Sequence, residues 1–177
     1  WYYPFVKRLF DIMVSLFCIL ILSPVFAVVA IAIKLCDGGP VFFKQERLTQ
    51  NGKRFWIYKF RSMILNAEKE GARLASQNDD RITPVGKVIR ALRIDELPQL
   101  WNILKGDMSI VGPRPERPEI AEEYMKDVPE FSMRLKVKAG LTGYAQVYGK
   151  YNTTPEDKLK LDLLYITQRS MLFDLKI

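Results

Sequence analysis

Histidine is absent from this chain of 177 residues, and cysteine occurs only twice. Without histidine the chain can form neither a Ser-His-Asp triad nor a zinc site with histidine ligands. Acid–base and nucleophilic chemistry must therefore come from Asp, Glu, Lys, Tyr, Ser or Cys side chains. The two cysteines, Cys18 and Cys36, do not form the pattern of a disulfide scaffold, which favours a reducing compartment.

The composition favours one globular domain, with or without an appendage, and an anionic partner. Apolar residues make up 49 % of the chain, and 27 Lys and Arg against 20 Asp and Glu give a net charge of +7. A nucleic acid, a membrane surface or a phosphorylated substrate would each suit this charge. The chain begins at Trp1 rather than Met, so we expect it to be part of a longer protein.

Charged residues are also missing from residues 12–33, "IMVSLFCILILSPVFAVVAIAI". About 20 apolar residues are enough to cross the core of a bilayer. The run is too long for a cleavable signal peptide, and it lacks the polar face of a helix at the surface of a soluble core. It therefore predicts a membrane helix.

Ser23 and Pro24 lie in the middle of this apolar run. Pro24 lacks an N–H and its ring clashes with the Leu20 carbonyl, which predicts a kink or a break, while the Ser23 hydroxyl could bond to that carbonyl. Basic residues flank both ends, so the positive-inside rule does not select one side. A re-entrant helix that returns to the same leaflet would explain both features. A kinked spanning helix is the alternative, and the segment alone does not decide between them.

The segment after the apolar run predicts a β-hairpin, because "PVFFKQ" and "RFWIYKF" flank a turn at Asn51-Gly52. We interpret the basic residues Lys53 and Arg54 as a solvated face beside anionic lipid. Lys59 and Arg61 are stronger site candidates, because their spacing places both on one face at the end of an apolar strand.

Two helices are predicted before the acidic pair at residues 95 and 96. "ILNAEKEGARLASQ" predicts an exposed helix, and "TPVGKVIRALRI" predicts a helix with Thr83 as N-cap and Pro84 as its first residue. The second helix has one apolar stripe that we expect to be buried, formed by Val85, Val88, Ile89 and Leu92. Arg90 and Arg93 share another face, directed towards the acids.

Asp95 and Glu96 open "ELPQLWNILKG", a predicted helix that ends at Gly106. Its inward residues should be Leu97, Leu100, Trp101 and Leu104. In one interpretation Asp95 merely caps this helix. In the other, the arginines and the helix N-terminus make a phosphate site in which Asp95 stays ionised. A carboxylate can then attack phosphorus, and a neighbouring Glu can bind Mg²⁺.

Three further segments carry candidate residues. Pro113 and Pro115 stiffen the backbone around Arg114, which makes either a rigid turn or an arginine held ready for a diphosphate. We interpret Arg117 as surface, and "YAQVYG" as a strand after a glycine loop. Asp174 lies in the apolar run "MLFDLKI", where a structural salt bridge to an arginine is the default expectation.

Several motifs occur in the order seen in one family: "KRLFD", the break at Ser23-Pro24, "IYKFRSM", "RIDELPQLWNILKGDMSIVGPRP", "GLTGYAQV" and "FDLKI". In these the chain resembles the monotopic phosphoglycosyl transferases, the bacterial sugar transferases. The resemblance implies transfer of a sugar-1-phosphate from a UDP-sugar to polyprenyl (undecaprenyl) phosphate, releasing UMP, at the cytoplasmic face of the bacterial inner membrane. It implies membrane lipid as a partner but no nucleic acid, and it leaves homo-oligomer formation open.

The resemblance also implies a role for each motif residue. Asp95 would be the covalent nucleophile and Glu96 a Mg²⁺ ligand or an orienting partner, with substrate-binding residues Lys59, Arg90, Arg114 and Asp174. The implied fold is α+β: a re-entrant membrane helix in residues 1–36, and a mostly helical catalytic domain with a short hairpin in residues 37–177. "PRPERPE" resembles exopolysaccharide-type members, which favours glucose or galactose as the sugar over an N-acetylated one. A non-enzymatic, membrane-anchored basic binding module is the competing hypothesis.

Overall fold

The computed structural model describes residues 2–69, 71, 79–150 and 153–177. Seven α-helices lie in these residues: α1 Tyr3–Asp37, α2 Pro84–Ala91, α3 Gln99–Lys105, α4 Pro118–Asp127, α5 Tyr144–Tyr148, α6 Pro155–Gln168 and α7 Met171–Lys176. The four strands described are β1 Phe42–Leu48, β2 Arg54–Phe60, β3 Met108–Val111 and β4 Ala139–Thr142. Short 3₁₀ helices span Gln50–Gly52, Ile94–Glu96 and Pro129–Lys136. Half of the predicted helix in residues 64–77 lies outside the described residues, and the described residues 65–69 form turns rather than a helix.

Helix α1 runs through the Ser23-Pro24 pair as one element, so the helix does not end there, as a break would require. The Ser23 hydroxyl donates to the Leu20 carbonyl at 2.8 Å, which confirms the predicted bond and satisfies the carbonyl nearest the proline ring. In the most apolar stretch of α1 only 11 % of the residues are buried inside the protein. A helix this long and apolar that leaves its surface uncovered fits a membrane anchor better than a core helix.

Polar contacts fix both ends of α1 to the rest of the domain. Near its start, the Asp11 carboxylate accepts bonds from Ser109 Oγ at 2.7 Å and from Ile110 N at 3.1 Å. At its end, Asp37 pairs with Arg61, whose Nε also donates to the Pro40 carbonyl at 2.6 Å. Arg61 therefore anchors the helix and does not join Lys59 in a site.

The strands form two small sheets on either side of the core. β1 and β2 pair antiparallel with Phe42 opposite Phe60, and Asn51 (φ 61°) makes the turn, which confirms the predicted hairpin. β3 and β4 pair in parallel. A Cβ on Gly140 would lie 2.1 Å from Gly112 N, so glycine is needed there for two backbone segments to approach. The predicted strand "YAQVYG" is wrong, because the strand is Ala139–Thr142 and α5 follows it.

Burial corrects three further predictions. In α2, Ile89 packs with Phe60 against α1, but Val88 and Leu92 are more than half exposed, because only one side of this helix is covered. In α3 the fully buried residues are Asn102 and Ile103, while Trp101 is 56 % exposed. Arg117 is buried and pairs with Glu68, so its assignment to the surface was wrong.

Candidate active site

The acidic pair lies on the 3₁₀ turn Ile94–Glu96, between α2 and α3. Arg93, in the left-handed conformation (φ 58°), ends the preceding helix and redirects the chain into this turn. Asp95 is 8 % exposed, and it caps neither helix, since the N-cap of α3 is Pro98. The interpretation of Asp95 as a helix cap is therefore wrong.

Glu96 is held by two cations from distant parts of the chain. Its Oε1 lies 2.9 Å from Arg114 Nη2 and 3.3 Å from Lys59 Nζ. Its Oε2 has a longer contact of 3.9 Å to Arg93 Nη1. By contrast, Asp95 accepts no hydrogen bond from any side chain in the described part of the chain. The two adjacent carboxylates thus have different surroundings, because cationic side chains hold Glu96 by hydrogen bonds and none in the described residues does so for Asp95.

The same surroundings move the pKa values of the two carboxyl groups apart. Burial raises the pKa of Asp95, the charge of Glu96 adds to this, and Lys59 only partly opposes it. Burial also raises the pKa of Glu96, but Arg114 and Lys59 more than offset it and bring it down to about 2. The helix N-terminus was expected to keep Asp95 ionised, and desolvation acts against that effect by raising the pKa of this carboxyl group.

Lys59 is the third titrating group of the site. Burial lowers its pKa to about 8, and the attraction of Glu96 only partly opposes this shift. Its position on β2 is set by the Asn102 side chain, which is fully buried. Asn102 Oδ1 accepts from Tyr58 N at 3.0 Å, and Nδ2 donates to the Trp56 carbonyl at 2.8 Å. One amide therefore joins the strand of Lys59 to the helix that follows Glu96.

The loop of Arg114 is held from both sides. Pro113 and Pro115 on either side of Arg114 are both buried. The Arg114 carbonyl accepts from Arg134 Nη2 at 2.8 Å, and the Pro115 carbonyl accepts from Arg47 Nη1 at 3.1 Å.

Two of the groups that hold this loop, Arg134 and Arg47, were not predicted from the sequence to have this role. Arg134 is itself fixed by Asp162, with 2.8 Å between Nη2 and Oδ2. Arg47, on β1, is the second of these groups. Burial lowers the pKa of Arg47 to about 10.

The site unites five of the six residues that the resemblance assigned to chemistry or substrate binding. Arg90 contributes through its charge, which lowers the pKa of Asp95, and its Nη1 lies 3.5 Å from Ser62 Oγ. Asp174 is not brought into contact with these groups in the described part of the chain. It lies in a separate buried cluster whose members are Lys7 at 2.6 Å, Tyr165 at 2.9 Å and Tyr3 at 3.0 Å.

The contacts of Asp174 match the structural alternative, with a lysine in place of the expected arginine. Lys7 and Tyr3 belong to α1, and Asp174 belongs to α7. The carboxylate therefore ties the two ends of the described chain together. A role in substrate binding remains a prediction.

Comparison with known proteins shows the family of the chain. The model of the bacterial sugar transferase family matches residues 2–177. The chain belongs to this family. It is 44 % identical to a UDP-N-acetylgalactosamine-undecaprenyl-phosphate N-acetylgalactosaminephosphotransferase of Aeromonas hydrophila, over 99 % of this chain and 42 % of that protein.

Two relatives named UDP-glucose:undecaprenyl-phosphate glucose-1-phosphate transferase also match. The one from Escherichia coli is 42 % identical over 97 % of this chain and 38 % of its own length. The one from Caulobacter vibrioides is 39 % identical over 97 % of this chain and 66 % of its own length. The chain thus spans about two fifths of the Aeromonas and Escherichia relatives.

Asp95 and Glu96 are the candidate Mg²⁺ ligands of this bacterial sugar transferase. In the described ranges there is no group of three or more acidic, cysteine or histidine side chains that could hold a metal alone. Asp95 and Glu96 Oε2 nevertheless remain available as hard oxygen donors. Because Mg²⁺ is commonly bound through one or two carboxylates together with substrate phosphates, the residues fit a metal that arrives with a diphosphate.

Proposed function

We propose that this protein transfers a sugar-1-phosphate from a UDP-sugar to polyprenyl phosphate and releases UMP, on the cytoplasmic face of the bacterial inner membrane. The observation that carries the proposal is the buried carboxylate pair. Glu96 is fixed by Arg114 and Lys59, whereas Asp95 has no hydrogen-bonding side chain in the described residues. The relatives' names, which specify undecaprenyl phosphate, support the same reaction.

In the first step Asp95 is the nucleophile. One of its carboxylate oxygens attacks the β-phosphorus of the UDP-sugar, the bond to the bridging oxygen breaks, and UMP leaves. The sugar phosphate then remains on Asp95 as an acyl phosphate. The raised pKa of Asp95 makes its carboxylate a stronger nucleophile once the group is ionised.

The cations around the pair would stabilise this first step. Lys59, Arg90 and Arg114 offset the charge that spreads over the phosphoryl group in the transition state. Mg²⁺ bound by Glu96, with Asp95 beside it, would supply Lewis-acid polarisation of the diphosphate. The low pKa of Glu96, about 2, keeps this ligand ionised at any working pH.

In the second step polyprenyl phosphate displaces Asp95 from the sugar phosphate. A phosphate oxygen of polyprenyl phosphate attacks the phosphorus of the adduct, the bond to Asp95 breaks, and the free carboxylate and polyprenyl-diphosphate-sugar are formed. Ping-pong kinetics follow from the two displacements. We further propose that α1 is re-entrant and turns at Ser23-Pro24, which would hold the site at the depth of the acceptor's phosphate.

The sugar is the least determined part of the proposal. The exopolysaccharide-type sequence "PRPERPE" favours glucose or galactose, and the Escherichia relative's name specifies glucose. The Aeromonas relative favours UDP-N-acetylgalactosamine as the second candidate. The choice between them does not change the roles of Asp95 and Glu96.

UMP release by protein in detergent, with Mg²⁺, undecaprenyl phosphate and each UDP-sugar in turn, tests the proposal. We expect release with one donor and its loss in Asp95→Asn. Asp127→Asn is the matched control, because Asp127 is an exposed acid at the end of α4, and this variant should remain active. Absence of release with every donor, or equal release by Asp95→Asn, would refute the mechanism and favour the basic binding module.

A further inference from the structure

An apolar cavity of about 330 Å³ lies between the membrane helix and the candidate active site. Helix α1 contributes Ile19 and Phe26, which are two turns apart on one face and lie on either side of Ser23-Pro24. Phe42 and Trp101 on the other walls are more than half exposed, so the cavity reaches the surface. Its volume is at the lower end of the range of about 300–1,000 Å³ for small-ligand sites.

The remaining walls come from the two segments that also carry Lys59 and Glu96. Tyr58 lines the cavity and directly precedes Lys59 on β2, although neighbouring side chains of a strand point to opposite faces. Leu97 and Pro98 line it as well and directly follow Glu96. A ligand with its apolar part in the cavity would have to extend past these segments for its other end to reach the cations that hold Glu96.

We infer that this cavity binds the phosphate-proximal isoprene units of the polyprenyl phosphate acceptor. The inference rests on the proposed function and specifies where its lipid substrate lies. The branched hydrocarbon chain of this acceptor suits the apolar cavity, and its anionic phosphate suits the cations Lys59 and Arg114. Because α1 itself forms one wall, the chain can enter from the membrane side without crossing water.

The polar donor is a poorer occupant of the same space. A sugar or ribose placed here would bring hydroxyl groups against side chains that offer few hydrogen-bonding partners, which is costly. A uracil ring stacked on Trp101 is the one donor contact that the lining allows. The experiment therefore has to separate binding of the acceptor from binding of the donor.

Trp101→Ala removes one wall, and Trp56→Ala is its matched control, because both indoles are 56 % exposed and only Trp101 lines the cavity. The UMP burst without acceptor measures the first displacement alone, and steady-state turnover measures both. For Trp101→Ala we expect an unchanged burst and donor KM, and a KM for undecaprenyl phosphate that rises about tenfold, equivalent to about 1.4 kcal/mol. Trp56→Ala should change neither constant.

A second variant fills the cavity from the opposite wall. Ile19→Trp should raise the KM for undecaprenyl phosphate, and also that for geranyl phosphate, which is short enough to need only the phosphate-proximal part of the site. If the unaltered protein shows the UMP burst, two results would overturn the inference. One is an unchanged acceptor KM in both variants, and the other is a raised donor KM in Trp101→Ala. Absence of that burst would instead contradict the proposed function itself.

Discussion

Substitution of Asn102 by alanine should both destabilise the protein and slow its reaction. The Asn102 amide is fully buried and makes two hydrogen bonds to β2, to the Tyr58 N–H at 3.0 Å and to the Trp56 carbonyl at 2.8 Å. The other edge of β2 pairs with β1, so this amide satisfies backbone groups that face α3. Alanine would leave one donor and one acceptor without these partners.

The magnitude follows from the cost of unpaired buried groups. Each costs roughly 1–3 kcal/mol, so the loss of two should lower the free energy of unfolding by about 2–6 kcal/mol. For a protein of this size each kcal/mol corresponds to about 2–4 °C in Tm, which gives a decrease of about 4–24 °C. Lys59 follows Tyr58 directly, so the strand that presents its ammonium group to Glu96 would also lose its fixed position.

Thermal unfolding in detergent and the initial rate of UMP release measure the two effects. Gln168→Ala is the control, because Gln168 is an exposed residue at the end of α6 and should leave both unchanged. A Tm within about 2 °C of the unaltered protein would refute the reasoning, because it would mean that water or backbone movement replaces both bonds at little cost. An Asn102→Ala protein that unfolds early but reacts at the full rate would show that Lys59 does not depend on this amide.

Three further predictions concern the charged groups. The rate of the UMP burst should rise with pH as Asp95 loses its proton, and it should fall above about pH 8 as Lys59 loses its proton. Lys59→Arg should abolish the fall at alkaline pH. Glu96→Gln should shift both limbs of that profile to lower pH, because the charge of Glu96 raises the pKa of Asp95 and of Lys59, and an unshifted profile would contradict the coupling. Asp174→Ala should lower the free energy of unfolding by about 3 kcal/mol, because it leaves Lys7 without its buried partner, and it should not change the donor KM. A raised donor KM at normal Tm would instead support a substrate-binding role.

Local patterns in the sequence were sufficient for features that depend on neighbouring residues. The Asn51-Gly52 turn, the helix start at Thr83-Pro84 and the bond from Ser23 to Leu20 are all present. Each follows from backbone geometry and hydrogen bonding within a few residues. Several predictions that failed concern which side of an element is covered, and Val88, Trp101 and Arg117 are examples. The strand predicted at "YAQVYG" failed in its type, because this segment forms a helix.

In the candidate site, too, some features follow from the sequence and others from the packing of distant segments. The sequence by itself determined that two carboxylates are adjacent, that histidine chemistry is excluded, and that an apolar helix precedes them, because these are properties of composition and spacing. Only the tertiary structure decided that Lys59 and Arg114, which are 37 and 18 residues from Glu96, meet on one of its oxygens. It also decided that Asp174 pairs with Lys7, and that burial raises the pKa of Asp95 where a helix terminus was expected to lower it. Desolvation and long-range pairing depend on where distant segments pack, and no local pattern specifies that.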